Sequence, residues 1–189
     1  TGSSSVFMSL KCGLAVASVL GKRRPDWEAS RERLGEAIRH RPNLFNMMKA
    51  RYAMDWYYPV LCGAVSGEEA RRRIDRSWEK FVVPEWGVRC VSDQPWVTNA
   101  EASELVLALK AMGDHERAVA VFNWICDKKY DDGSYWMGVT FPDGVVWPDE
   151  KTSWTAAAVI LAHDALHGLT PASGLFSHSF WNAFRDGEG

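Results

Sequence analysis

Three carboxylates stand where this chain could do acid–base chemistry. Asp55 precedes Trp56, Tyr57 and Tyr58; Glu101 follows Thr98 and Asn99; Glu150 comes just before the run Thr152 to Thr155. Each falls at the expected start of a buried helix and close to aromatic side chains. A carboxyl group taken out of water has its pKa raised toward working pH, which suits it to protonate a glycosidic oxygen or an alkene. Indole and phenol rings serve either task, because their flat faces stack on sugars and their π clouds stabilise positive charge on a hydrocarbon. Asp55, Glu101 and Glu150 are therefore the candidate catalytic residues. Trp56, Tyr57, Trp96, Asn99, Trp136, Trp147 and Trp154 are the candidate substrate-binding set. The same residues have a plainer reading: Thr98 with Glu101 fits a T-x-x-E capping box, and Asp55 or Asp149 can complement a helix dipole.

Other chemistries find less support. His163 and His167 are spaced i, i+4, which can place two imidazoles on one helix face, but no HExxH surrounds them and they read as ordinary helix histidines. No phosphate-cradling glycine pattern, GxSxG elbow or Cys-His signature is present. Neither a metal nor a cofactor is expected. Cys12, Cys62, Cys90 and Cys126 show no CxxC spacing and read as reduced thiols of a cytoplasmic protein. A net charge of −2 leaves no basic footprint for nucleic acid. The longest uncharged apolar stretch, Trp154 to Ala162, is too short to span a membrane, and no signal peptide opens the chain.

The elements that must position these residues repeat. Gly21, Gly67 and Gly113 are each 46 residues apart, and each closes an apolar run and opens a charged amphipathic one. Self-similarity at this period indicates stacked α-hairpins, since one hairpin cannot bury its apolar face alone. Inner helices are predicted over 5–20, 56–65, 100–112 and 153–167, and outer helices over 26–39, 68–80 and 114–128. Inner-to-outer links are short and outer-to-inner links are long, so every long loop lies at one end of the array, over the inner-helix N-termini. Six of the ten tryptophans fall there, and loops on a rigid scaffold are where function concentrates. The run T-F-P-D-G-V-V (140–146) predicts a β-hairpin, and 82–91 a second. The tail, 171–189, is expected to pack back through Phe176, Phe180 and Trp181.

The stretch W-I-C-D-K-K-Y-D-D-G-S-Y-W (124–136) resembles the repeat of squalene–hopene cyclases and protein prenyltransferase β subunits, where a helix ends in Q-x-x-D-G-S-W. Lys129 replaces the Gln, Gly133 matches and Tyr135 takes the Trp position. With T-S-W-T-A-A-A-V-I-L-A-H-D-A-L, Y-A-M-D-W-Y-Y-P-V-L and V-R-C-V-S-D-Q-P-W-V-T, nearly the whole chain looks like the C-terminal portion of actinobacterial prenyltransferase-like proteins. The resemblance implies an all-α fold, an α/α toroid of inner and outer helix rings, with residues 1–189 forming one such domain or the C-terminal part of one. The cyclase D-x-D-D motif and the prenyltransferase zinc set are absent.

The leading expectation is thus a prenyltransferase-like or terpene-cyclase-like enzyme acting on an isoprenoid. The alternatives are a carbohydrate-active enzyme of the six-hairpin glycosidase type, which keeps its carboxylates at inner-helix N-termini, and a non-catalytic binding module. An arc of three to four hairpins leaves the first inner helix uncovered, so this edge is expected to meet a missing N-terminal portion or another copy of the chain.

Overall fold

A computed structural model describes residues 1–186. Helix α1 (Gly2–Val19) forms an antiparallel pair with α2 (Pro25–His40). Next come α3 (Ala53–Leu61), α4 (Gly67–Arg76) and the single turn α5 (Trp78–Phe81). Strands β1 (Val82–Val83), β2 (Gly87–Arg89) and β3 (Trp96–Thr98) lead into α6 (Asn99–Ala111) and α7 (His115–Ile125). Strand β4 (Gly138–Thr140), α8 (Ser153–His167) and α9 (His178–Asp186) follow.

Helix α1 packs on α3, α3 on α6 and α6 on α8, while α2, α4 and α7 lie against α1, α3 and α6 in turn. This is the inner row and outer row expected of an α/α toroid, in a mainly helical chain. The two kinds of helix differ in composition as their positions require. Every residue of α6 except Lys110 is buried, Glu101 and Glu104 included, whereas α4 buries only Ala70 and Ile74 of its charged sequence. Tyr57, Ile74, Phe81, Leu105, Leu109 and Ile125 form the centre of one continuous core.

Gly21 and Gly113 lie in inner-to-outer turns and Gly67 ends one, and all three adopt positive φ, at 66° for Gly21, 60° for Gly67 and 84° for Gly113. The second unit differs in detail from expectation. Helix α3 stops at Leu61 rather than Val65, because Gly63 at φ 71° takes the left-handed position that ends it, and Gly67 instead begins α4. Helix α1 also departs from the sequence reading. At 18 residues and mean hydropathy 1.2 it is long and apolar enough, by length and composition, to cross a membrane, and little of it is buried. It carries Lys11, whose ammonium donates to the Cys62 carbonyl at 3.2 Å and lies 4.5 Å over the Trp181 ring.

The two expected hairpins are present, and β3 joins them. The strands form one antiparallel sheet in the order β1-β2-β3-β4, pairing Val88 with Thr98 and Thr98 with Gly138. Two long loops from different hairpins are thereby stitched together at the N-terminal end of the inner helices. One face places Val82, Val88 and Thr98 toward the helices. The other gathers Val83, Val97 and Val139 with Trp86 and Phe141 into a small core of its own. Phe176 packs on the main core as expected of the tail, whose last residues, 187–189, lie outside the described part.

Candidate active site

Asp55 and Glu101 are 46 residues apart, the interval of the repeat, and each is the third residue of an inner helix. Tyr58 and Glu104 are related in the same way one turn further in. Because α3 and α6 are packed neighbours, equivalent positions present equivalent faces, and the two carboxylates stand at the same level on adjacent helices. Axes of packed helices lie roughly 8–10 Å apart. Asp55 and Glu101 thus occupy equivalent positions at the rim, one turn above the bonded pair Tyr58 and Glu104.

The lower layer is tightly bonded. The Tyr57 hydroxyl donates to Glu104 Oε2 at 2.5 Å and the Tyr58 hydroxyl to Oε1 at 2.8 Å. Burial raises the Glu104 pKa from 4.5 to about 7, opposed by the two phenol hydrogen bonds and reinforced by the nearby Glu101 charge. The same burial and the Glu104 charge push both phenols well above their ordinary value, so they stay donors. Glu104 was not among the sequence candidates. Its signal was available in the 46-residue offset from Tyr58, which marks both as facing the same way.

Glu101 is buried and accepts from the Thr98 hydroxyl, so the pair is bonded side chain to side chain and not as the expected capping box, and no side chain caps the start of α6. Cys90 lies against it. Burial first, then the charge and hydrogen bonding of Glu101, raise the Cys90 thiol to about 12. That thiol remains protonated and is no nucleophile. Asp55 accepts at Oδ1 from the Thr1 hydroxyl. Its backbone is held by Arg73, which donates to the carbonyls of Asp55 at 2.9 Å and Trp56 at 2.8 Å.

Glu150 is not drawn into this cluster. It is exposed in the loop before α8, its N–H donating to the Pro148 carbonyl at 2.9 Å. The neighbouring Asp149 accepts from the Tyr130 hydroxyl at 2.7 Å. The aromatic candidates divide. Trp56 is buried and stacks on Phe81, centroids 5.2 Å apart, and its indole N–H donates to the Arg73 carbonyl at 3.0 Å, so it is part of the helical core. Tyr57 belongs to the carboxylate network. Asn99 is buried and donates to the carbonyls of Lys128 at 3.1 Å and Trp136 at 2.9 Å, fastening the second long loop to the start of α6. Trp136 is half-buried there. Trp96 and Trp147 meet at the sheet edge, with Trp147 and Trp154 both exposed.

Among the described residues, no group of three or more His, Cys, Asp or Glu side chains could hold a metal ion. His163 and His167 lie close, with ring centroids 4.4 Å apart, but Asp164 between them is engaged by the Thr170 hydroxyl and N–H. The D-D-G-S stretch is a fastened turn. Asp132 accepts from the Ser134 N–H at 3.0 Å and from Lys151 at 2.5 Å, and Gly133 takes φ 84°.

No protein-family profile matches the chain. It is 52% identical over 176 residues to an MMP endo-(1,4)-3-O-methyl-alpha-D-mannosidase of Mycolicibacterium hassiacum, across 93% of this chain and 49% of the relative. The chain thus spans about half the length of that curated relative. This finding overturns the isoprenoid expectation. The similarity is to a mannosidase, not to a prenyltransferase, a terpene cyclase or any other transferase of the squalene-cyclase type. The chemistry of the cluster agrees with the correction, since two carboxylates bonded by phenols and a threonine are groups for hydroxyl-bearing ligands rather than the apolar lining an isoprenoid requires. The resemblance that misled rests on D-D-G-S, which here shapes a loop.

Proposed function

We propose that this chain carries catalytic groups of a glycoside hydrolase cleaving α-(1,4) bonds within a 3-O-methyl-mannose polymer, the activity its relative's name states. The observation that carries the reading is the rim pair: Asp55 and Glu101 at equivalent positions of adjacent inner helices, backed by Glu104 and its two tyrosines. Four free thiols are in keeping with a reducing, cytoplasmic setting.

Glu101 and Glu104 lie on one wall, one helical turn apart, and the Glu101 charge helps raise the pKa of Glu104. Glu101, nearer the rim, delivers its proton to the glycosidic oxygen, and Glu104, which holds a proton below about pH 7, replaces it. Asp55 on the neighbouring helix takes the opposite role and removes a proton from water as that water attacks the anomeric carbon. The C–O bond to the leaving sugar breaks, the leaving oxygen gains the Glu101 proton, Glu104 ends ionised after restoring it, and Asp55 ends with the proton from water. This assignment is of the inverting kind, which requires two carboxyls about 6.5–9.5 Å apart with water between. The Thr1 hydroxyl that bonds Asp55 orients it in the resting state.

The test is hydrolysis of α-(1,4)-linked 3-O-methyl-mannose oligosaccharides by the full-length protein. Glu101→Gln and Asp55→Asn should each lower kcat by about 100-fold or more while circular dichroism stays unchanged. No hydrolysis by the wild type, or unimpaired turnover in both folded variants, would overturn the proposal.

A further inference from the structure

Trp96 and Trp147 form an edge-to-face pair at the sheet edge, with ring centroids 5.3 Å apart and an interplanar angle of 75°. Trp147 is 56% exposed yet held on both sides of its peptide. Its N–H donates to the Gly138 carbonyl at 3.0 Å, and its own carbonyl accepts from Trp96 Nε1 at 2.6 Å. Trp96 in turn lies across Gly138, where a Cβ would come within 2.5 Å of Nε1 and 2.9 Å of Cε2. An indole left in water while its surroundings are fixed so closely has already lost the freedom that binding would otherwise remove. Such a ring is preorganised to stack on a flat apolar face.

Its location ties it to the carboxylates. Side chains alternate along a strand, so Trp96 and Thr98 project from the same face of β3 about 6.7 Å apart. The Thr98 hydroxyl is bonded to Glu101, and Cys90, which faces Trp96 across the ladder, also lies against Glu101. Trp96 therefore stands on the order of one sugar ring from the rim acid, with Trp147 outside it.

We infer that the Trp96–Trp147 corner is a sugar-stacking subsite next to the point of cleavage, selective for 3-O-methylated mannose. A methoxy group presents apolar surface to the indole where a free hydroxyl would present a solvated one, so methylation strengthens stacking at this place. The inference rests on the glycoside hydrolase reading.

The experiment compares the full-length wild type with Trp147→Ala and Trp147→Phe on methylated and unmethylated α-(1,4)-mannose oligosaccharides of increasing length. Trp147→Ala should raise KM for the longer methylated substrates about 10-fold with a much smaller change in kcat, and Trp147→Phe should recover most of the loss. The loss should be smaller on the unmethylated series. An unchanged KM in Trp147→Ala at every length, or equal losses on the two series, overturns the subsite and leaves the hydrolase reading intact. Absence of hydrolysis by the wild type on both series overturns that reading, and the subsite with it.

Discussion

The hydroxyl of Tyr57 reaches from α3 to α6 and donates to Glu104 Oε2 at 2.5 Å, with Tyr57 fully buried and Glu104 nearly so. Two inner helices from successive repeats are joined by this bond, and the carboxyl it holds stays close to its protonation midpoint at neutral pH. Structure and chemistry are coupled at one atom pair, which makes the effects of substitution there specific in sign.

Replacing Glu104 by Gln should stabilise the protein in alkaline solution. The folded-state pKa of about 7 lies above the ordinary 4.5, so ionisation costs the fold nothing below pH 4.5, increasingly more between 4.5 and 7, and its full amount above 7. Two and a half pKa units correspond to about 3 kcal/mol. Thermal melts of Glu104→Gln should show a higher Tm than wild type at about pH 8, and the advantage should vanish at about pH 4. An equal difference at both ends would show that Glu104 is not the titrating group.

Tyr57→Phe removes one of the two bonds that favour the ionised Glu104. Its pKa should then rise further, because hydrogen bonding to the charged form was lowering it. If Glu104 supplies the proton, the alkaline limb of the pH–rate profile should move to higher pH in this variant, and stability should fall by about 1 kcal/mol. A limb that stays in place would remove Glu104 from the proton path.

Gly138→Ala should disturb the loop sheet without touching the helices. The added Cβ would meet the Val97 carbonyl oxygen at 2.7 Å as well as the Trp96 ring, and neither the backbone nor a ring bonded to the Trp147 carbonyl can yield cheaply. A loss of about 1–3 kcal/mol is expected, together with a shift in tryptophan fluorescence. A variant as stable as wild type, with unchanged emission, would show that the corner is loosely packed.

Much of the scaffold was legible in the sequence because it is local. Ser153 to His167 was read to the residue as an inner helix, which the structure caps at Thr152 and stops at Gly168, and the periodic glycines marked the turns. The early end of α3 was missed because Ala64 and Val65 continue the apolar pattern, while Gly63, only two residues past Leu61, had already broken the backbone. The joining of two hairpins into one sheet was missed for a different reason: β3 pairs with β4 some 40 residues away, and three residues carry little pattern of their own. Within the site, Glu101 was visible through its neighbours. Glu104 looked like one more helical glutamate until its bonds to Tyr57 and Tyr58 were seen. Trp56 looked available in sequence but is closed into the core by Phe81 and Trp78.

Strand β3 ends at Thr98 and α6 begins at Asn99, with no residue between them to act as a hinge. A rigid strand running directly into a rigid helix behaves mechanically as a single lever. Its outer arm bears Trp96 and its inner arm Glu101, with the fulcrum at Asn99, whose amide grips two carbonyls of the facing loop. The position of Glu101 is thereby tied to that of Trp96 through five successive backbone residues, 97–101 included, with no loop between to absorb a movement of either.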